Sequence, residues 1–152
     1  MTMYTQRFSD TDMDRLEADL DMCNRVFVYG TLQKGQSNNS ILSNSDLISS
    51  TTTREGFALG NVGFPYAFHE SVVPAEYKKL LFPVQGEVYK IADMFTFASL
   101  DALEGYPSHY NRRIVPTASG LTAWMYNQDD WNAASRCSAC KLEKDTWVWP
   151  KR

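Results

Sequence analysis

Glu104 closes the run Leu100-Asp101-Ala102-Leu103-Glu104, four residues after Leu100. On a helix that spacing puts its carboxylate on the same face as the apolar positions Phe97 and Leu100. Burial disfavours ionisation there, and the last carbonyls of the helix place partial negative charge beside it. Both effects push the carboxyl toward neutrality, where one group can take up a proton and later return it. The same residue also reads as a surface glutamate at a frayed helix end, or as the partner of Arg112 or Arg113 in a salt bridge.

A second stretch offers complementary chemistry. In Arg25-Val26-Phe27-Val28-Tyr29-Gly30-Thr31-Leu32 four consecutive β-branched or aromatic residues end at a glycine and open into the polar loop Gln33 to Ser40. That is the composition of a strand covered on both faces, with glycine where backbone must approach something closely. Unpaired N–H groups beyond such a strand can cradle an anion or oxyanion, and an ordinary strand followed by a tight turn has the same signature. Gly30 to Ser37 has the glycine spacing of a phosphate-binding loop, but Gln36 stands where the phosphate-reaching lysine is required, which argues against a nucleotide hydrolase.

The elements that must bring these two stretches together are short and mixed. Residues 1–24 form a polar lead-in, with Met13, Leu16 and Leu20 spaced as one face of a marginal amphipathic helix. Ile41, Leu42, Leu47 and Ile48 in the Ser/Thr/Asn-rich segment 37–53 anchor a short helix or turn. Arg54 to Phe68 alternates apolar residues with glycines as a bent strand or hairpin, and Phe82 to Tyr89 reads as another strand bent at Gly86. A helix follows, with Asp93 as N-cap, Phe97, Leu100 and Leu103 at helical intervals, Gly105 as the C′ stop and Pro107 forbidding continuation. Residues 113–117 and 122–126 pair as a hairpin about Ser119-Gly120. These elements predict a single α+β domain with a curved or barrel-like sheet.

At 152 residues, 43% hydrophobic and 13% aromatic, the chain has the means for one sizeable core. A net charge of −3 with no basic cluster gives no footprint for nucleic acid or an anionic membrane, and favours a small neutral or zwitterionic ligand. No apolar stretch approaches the roughly 20 residues of a membrane span, and the acidic N-terminal segment is unlike a signal peptide. A cytoplasmic protein, a monomer or a weak dimer, is the expectation. The three cysteines Cys23, Cys137 and Cys140 read as thiols. Cys137-x-x-Cys140 is half a zinc site without a second pair, and Cys23, His69 and His109 are scattered singly, so no metal is expected. The sequon Asn38-Asn39-Ser40 carries no weight without a secretory signal.

Taken in order, Val26 to Leu32, Gly35-Gln36-Ser37-Asn38-Asn39, Gly86-Glu87-Val88-Tyr89, Leu100 to Pro107 and Tyr110-x-Arg112 resemble the γ-glutamylcyclotransferase-like family, in its branch of AIG2-like proteins and γ-glutamylamine cyclotransferases. The resemblance covers residues 25 to about 126. It implies a small mixed β-barrel flanked by helices, with the Tyr29-Gly30-Thr31-Leu32 loop and Glu104 facing each other across a cavity for a γ-glutamyl group. In the family reaction the substrate's α-amino group attacks its own γ-carbonyl, releasing 5-oxoproline and an amine or amino acid, with no cofactor. Glu104 would be the general base and acid. Backbone donors of Gly30 to Leu32 would hold the α-carboxylate, with Thr31 and Asn39 adding side-chain hydrogen bonds and Tyr110 closing the pocket. Residues 127–152, with Asp129-Asp130-Trp131, the CxxC and Trp147-Val148-Trp149, match no feature of the family and read as an extension packing on the same domain. Glu70 to Leu81 is longer and more polar than compact members need. A non-catalytic module that captures a small metabolite or a partner on the same barrel is the alternative, since fold does not fix function.

Overall fold

The computed structural model describes residues 10–150; the first nine residues of the lead-in lie outside them. Helix α1 (Asp10–Met22) is followed by β1 (Arg25–Val28), a 3-10 turn (Asn39–Leu42), β2 (Asp46–Thr52), β3 (Phe57–Asn61), β4 (Pro65–His69) and two further 3-10 turns. Then come β5 (Gln85–Lys90), α2 (Met94–Glu104), β6 (Asn111–Pro116), β7 (Thr122–Asn127) and the short strands β8 (Ser138–Ala139), β9 (Lys141–Glu143) and β10 (Thr146–Val148).

The apolar composition of β1 has its explanation in its place. It is the middle strand of a five-stranded sheet ordered β2-β5-β1-β7-β6, antiparallel to β5 and parallel to β7. Both faces are covered. Val26 and Val28 join one core with Leu16 of α1 and with Phe97 and Leu100 of α2, while Phe27 and Tyr29 join a second with Phe57 and Met125. Successive strand residues point to opposite faces, so four apolar residues in a row feed two cores.

Three separate sheets are present among the described residues, rather than one closed ring: the five-stranded sheet, a three-stranded sheet β4-β3-β8 and the pair β10-β9. The edges of the large sheet meet at one end. There Thr53 bridges Thr117, the Arg54 N–H donates to the Pro116 carbonyl at 3.1 Å, and the Ala118 N–H donates to the Thr52 carbonyl at 2.9 Å.

Segment 37–53 differs from its sequence reading. Asn39–Leu42 is the expected turn, but Asp46–Thr52 is an edge strand paired with β5 from Asp46↔Lys90 to Thr52↔Gln85. Its apolar residues Leu47 and Ile48 are 43% and 44% exposed, so no burial period marks the strand and backbone pairing alone makes it. By contrast, α2 is written in its ends. Asp93 accepts a hydrogen bond from the Thr96 N–H at 2.7 Å, and Gly105 takes the left-handed conformation (φ 66°) that closes the helix.

Residues beyond 126 run back over the domain. β8 pairs with β3 at Gly60↔Ala139, and the buried Trp147 indole donates to the Phe57 carbonyl at 2.8 Å. No helix among the described residues is long and apolar enough to cross a membrane.

Candidate active site

Where β1 runs out, its loop, the β3–β4 turn and the C-terminal end of α2 enclose a cavity of about 330 Å³. Glu104 and the Tyr29-Gly30-Thr31-Leu32 loop both line it. So do Tyr110, Tyr126, Asn38 and His109, with Phe64 and Leu103 at its mouth.

The loop is fixed by its own amides. Asn38 donates from its N–H to the Thr31 carbonyl and from its side chain to Thr31 Oγ1, both at 2.8 Å. Asn39 donates to the Leu32 carbonyl at 2.8 Å and to the Tyr89 hydroxyl at 3.1 Å. Asn39 is therefore absent from the cavity wall, and of the two neighbours it is Asn38 that lines it. Among the described residues the N–H groups of Gly30, Thr31 and Leu32 donate to no backbone carbonyl. Three donors on the lining without backbone acceptors suit an anionic or oxyanionic ligand group.

Gly30 is there for packing. A Cβ at this position would come 2.5 Å from Pro65 Cγ, closer than any side chain can stand, so glycine lets β1 and the β3–β4 turn share one wall. Pro65 in turn accepts the Tyr110 hydroxyl on its carbonyl at 2.6 Å. Tyr29 donates likewise to the Tyr126 carbonyl at 2.6 Å. With their protons committed, both hydroxyl oxygens still have capacity to accept. Burial pushes both phenols above the ordinary range, and Glu104 adds to the effect.

No hydrogen bond or ion pair to the Glu104 carboxylate is found among the described residues. The arginines considered as its partners are engaged elsewhere. Arg112 donates to Asp101 from Nε at 2.9 Å and Nη2 at 3.1 Å, and to Asp19 from Nη1 at 3.0 Å. Arg113 stands 3.8 Å from Asp129. Burial, then the charge of Asp101 one turn back, pushes the Glu104 carboxyl up to about 7.

Asp101 carries no role in the sequence reading, yet it is a hub of the structure. Besides the fork to Arg112 it accepts the hydroxyl of Tyr126, while Arg112 lies over the rings of Phe97, Tyr106 and Trp124 at 4.1 to 4.5 Å. The i, i+3 spacing of Asp101 and Glu104 was visible, but which arginine would meet which acid depends on β6. Leu103, read as a third core position of α2, is 40% exposed at the cavity mouth instead. His109 also lines the cavity, its Nε2 3.2 Å from the Tyr66 hydroxyl.

The three cysteines are free thiols. Among the described residues one cluster of potential metal ligands, Glu55, His69 and Glu70, forms at the far end of the β3–β4 hairpin. His69 Nδ1 accepts the Ser71 N–H at 3.1 Å, which leaves the proton of the neutral ring on Nε2, 3.3 Å from Glu55. A ring held in that tautomer presents a donor at Nε2, which has no hydrogen-bond partner among the described residues, rather than a lone pair for a metal.

Residues 26–148 match the family model described as Gamma-glutamyl cyclotransferase, AIG2-like, and the chain belongs to that family. A relative from Vibrio cholerae, provisionally named a gamma-glutamylcyclotransferase, is 39% identical over 104 residues, covering 66% of this chain and 78% of its own. The Gamma-glutamylcyclotransferase family protein YtfP of Escherichia coli K12 is 34% identical over 102 residues, covering 67% and 80%. A crystal structure of a mouse AIG2-like protein shares the fold at a TM-score of 0.61, with 22% identity over 80% of this chain and 88% of that one.

Proposed function

We propose that this protein is a γ-glutamyl cyclotransferase that releases 5-oxoproline and a free amine from a small γ-glutamyl compound, with Glu104 as the proton carrier. One observation carries the reading: an unpaired carboxyl with a pKa of about 7 shares a cavity with three N–H groups that have no backbone acceptor.

In the reaction the α-nitrogen forms a bond to the γ-carbonyl carbon, and the bond from that carbon to the leaving nitrogen breaks. Two protons leave the α-ammonium in becoming a lactam N–H, and the leaving nitrogen takes up two in departing as an ammonium. A carboxyl balanced near pH 7 serves both ends. Glu104 accepts one proton before attack and donates it to the leaving nitrogen, then carries the second as the tetrahedral intermediate collapses. The N–H groups of Gly30 to Leu32 hold the α-carboxylate and keep the glutamyl chain folded, a gain of proximity and orientation. Thr31, whose side chain is bonded to Asn38, and the acceptor-ready hydroxyls of Tyr29 and Tyr110 complete the glutamyl half. Asn39 acts on that half through Leu32. The amine half faces Phe64, Leu103 and His109 at the mouth. No step of this scheme calls for a cofactor, and the strands around the site form a barrel-like curve pinned at Thr53 and Thr117.

The test is Glu104→Gln assayed for 5-oxoproline with γ-glutamyl amines, γ-glutamyl amino acids and glutathione. Turnover falls by about 10² to 10⁴ while calorimetric binding of the same compounds persists. Undiminished turnover by the variant overturns the mechanism. Tight binding with no turnover by the wild-type protein points to a binding module.

A further inference from the structure

A second hollow of about 380 Å³ lies between α1 and the C-terminal end of α2. Asp101 and Arg112 form part of its wall, and so do Asp12, Arg15 and Asp19 of α1. Helix α1 precedes the family-matched segment, which begins at residue 26. Yet Asp19 reaches the same guanidinium that Asp101 holds with a two-pronged hydrogen bond.

Within this hydrogen-bonded trio one guanidinium faces two carboxylates, an excess of one negative charge, while Arg15 and Asp12 on the same wall add one charge of each sign. Arg112 and Asp101 are both buried, so water screens that pair weakly, whereas the Asp19 side chain, 21% exposed, is screened more. Asp101 sits three residues before Glu104 on α2, one helical turn away. If Arg112 served Asp101 alone, the two charges would largely cancel as seen from Glu104. Asp19 instead shares that guanidinium, accepting from its Nη1.

We infer that Asp19 is a positioning residue for the active carboxyl, setting through Arg112 and Asp101 the electrostatic field in which Glu104 exchanges its proton. The inference rests on the cyclotransferase reading for its consequence in turnover, though not for its physical content. Other titratable groups face Glu104 from every packed element: Tyr29 beyond β1, His109 and Tyr110 between α2 and β6, and Tyr126 on β7. Cys137 and Cys140 act on those tyrosines in turn. None of these touches Asp19, so a substitution at position 19 changes the field and leaves the cavity wall in place. The direction is fixed by sign. Removing a negative charge favours the ionised form of Glu104, so its proton is lost at lower pH.

The experiment is a carboxyl titration of Glu104 by carbon-13 NMR on the full chain, in wild type, Asp19→Asn and Asp19→Glu. The asparagine keeps the shape and removes the charge; the glutamate keeps the charge. The expected result is a midpoint about half a pH unit lower in D19N and close to wild type in D19E, with the acid limb of the kcat/KM profile for 5-oxoproline release following it. An unmoved midpoint in D19N overturns the inference, and so does an equal movement in both variants, which would mark Asp19 as a packing residue. If wild type releases 5-oxoproline from no γ-glutamyl compound, the cyclotransferase reading falls, and the titration still decides the role of Asp19.

Discussion

Asp101 and Glu104 stand one turn apart on the same helix and have opposite surroundings. Asp101 is saturated, with a guanidinium fork and a tyrosine hydroxyl on its oxygens, whereas Glu104 has no partner among the described residues and looks into open space. Equivalent chemistry is thus divided between holding the molecule together and, in the proposed mechanism, exchanging protons. The difference comes from β6 and β7, which present Arg112 and Tyr126 to one carboxylate and withhold them from the other. A carboxylate with satisfied lone pairs is a poor proton carrier, and one without them adds little to stability.

The largest effect that sharpens this contrast is chemical. Glu104→Gln lowers 5-oxoproline release by about 10² to 10⁴, and wild-type kcat/KM rises as pH climbs through about 7, where Glu104 becomes able to accept a proton. A flat profile between pH 6 and 8 would break it. Next comes Asp101→Ala, which leaves Arg112 buried without its principal partner. Chemical denaturation should show a loss of about 3 kcal/mol, the lower end for a broken buried pair because Asp19 remains.

A smaller effect has the opposite sign at the other carboxylate. Glu104 is raised from 4.5 to about 7 in the folded state, so folding binds its proton more tightly than the unfolded chain does. Below pH 4.5 both states are protonated and nothing is lost. As pH rises from 4.5 through 7 the folded state is penalised, up to a ceiling of roughly 3 kcal/mol that solvent at the cavity reduces. Glu104→Gln escapes this penalty, and its stability should exceed wild type by about 1 to 2 kcal/mol at pH 8 and match it at pH 4. Equal stability at both pH values would contradict the placement of Glu104. The smallest effect is expected of Tyr126→Phe, which removes one hydrogen bond to Asp101 at about 1 kcal/mol and spares the Tyr126 carbonyl that receives Tyr29.

The two carboxylates were unequally legible in the sequence. Glu104 stood out because a helix with a clear N-cap and a glycine stop fixes the face of each residue from local information. Asp101 did not, since its partner lies eleven residues on, across a turn and into a strand whose register no local pattern announces. The same divide runs through the fold. Strand β1 is announced by a continuous apolar run, and the strands read in 54–68, 113–117 and 122–126 by apolar residues and turn glycines. The edge strand β2 is polar and half exposed, and the β8 to β10 strands are two or three residues long, so only tertiary pairing defines them. In the loop, two adjacent asparagines of identical chemistry took different tasks, one on the cavity and one behind it, a choice made by backbone direction alone.

Gly30 has a consequence for how this protein tolerates mutation. Any side chain there must displace the Pro65 ring, whose carbonyl secures Tyr110 and whose strand forms the opposite wall. In a scan of every substitution, position 30 should therefore be as intolerant as Glu104, the proposed proton carrier, for a reason unrelated to protons. Selection for a folded chain alone would preserve this glycine, even in a descendant without the proposed reaction.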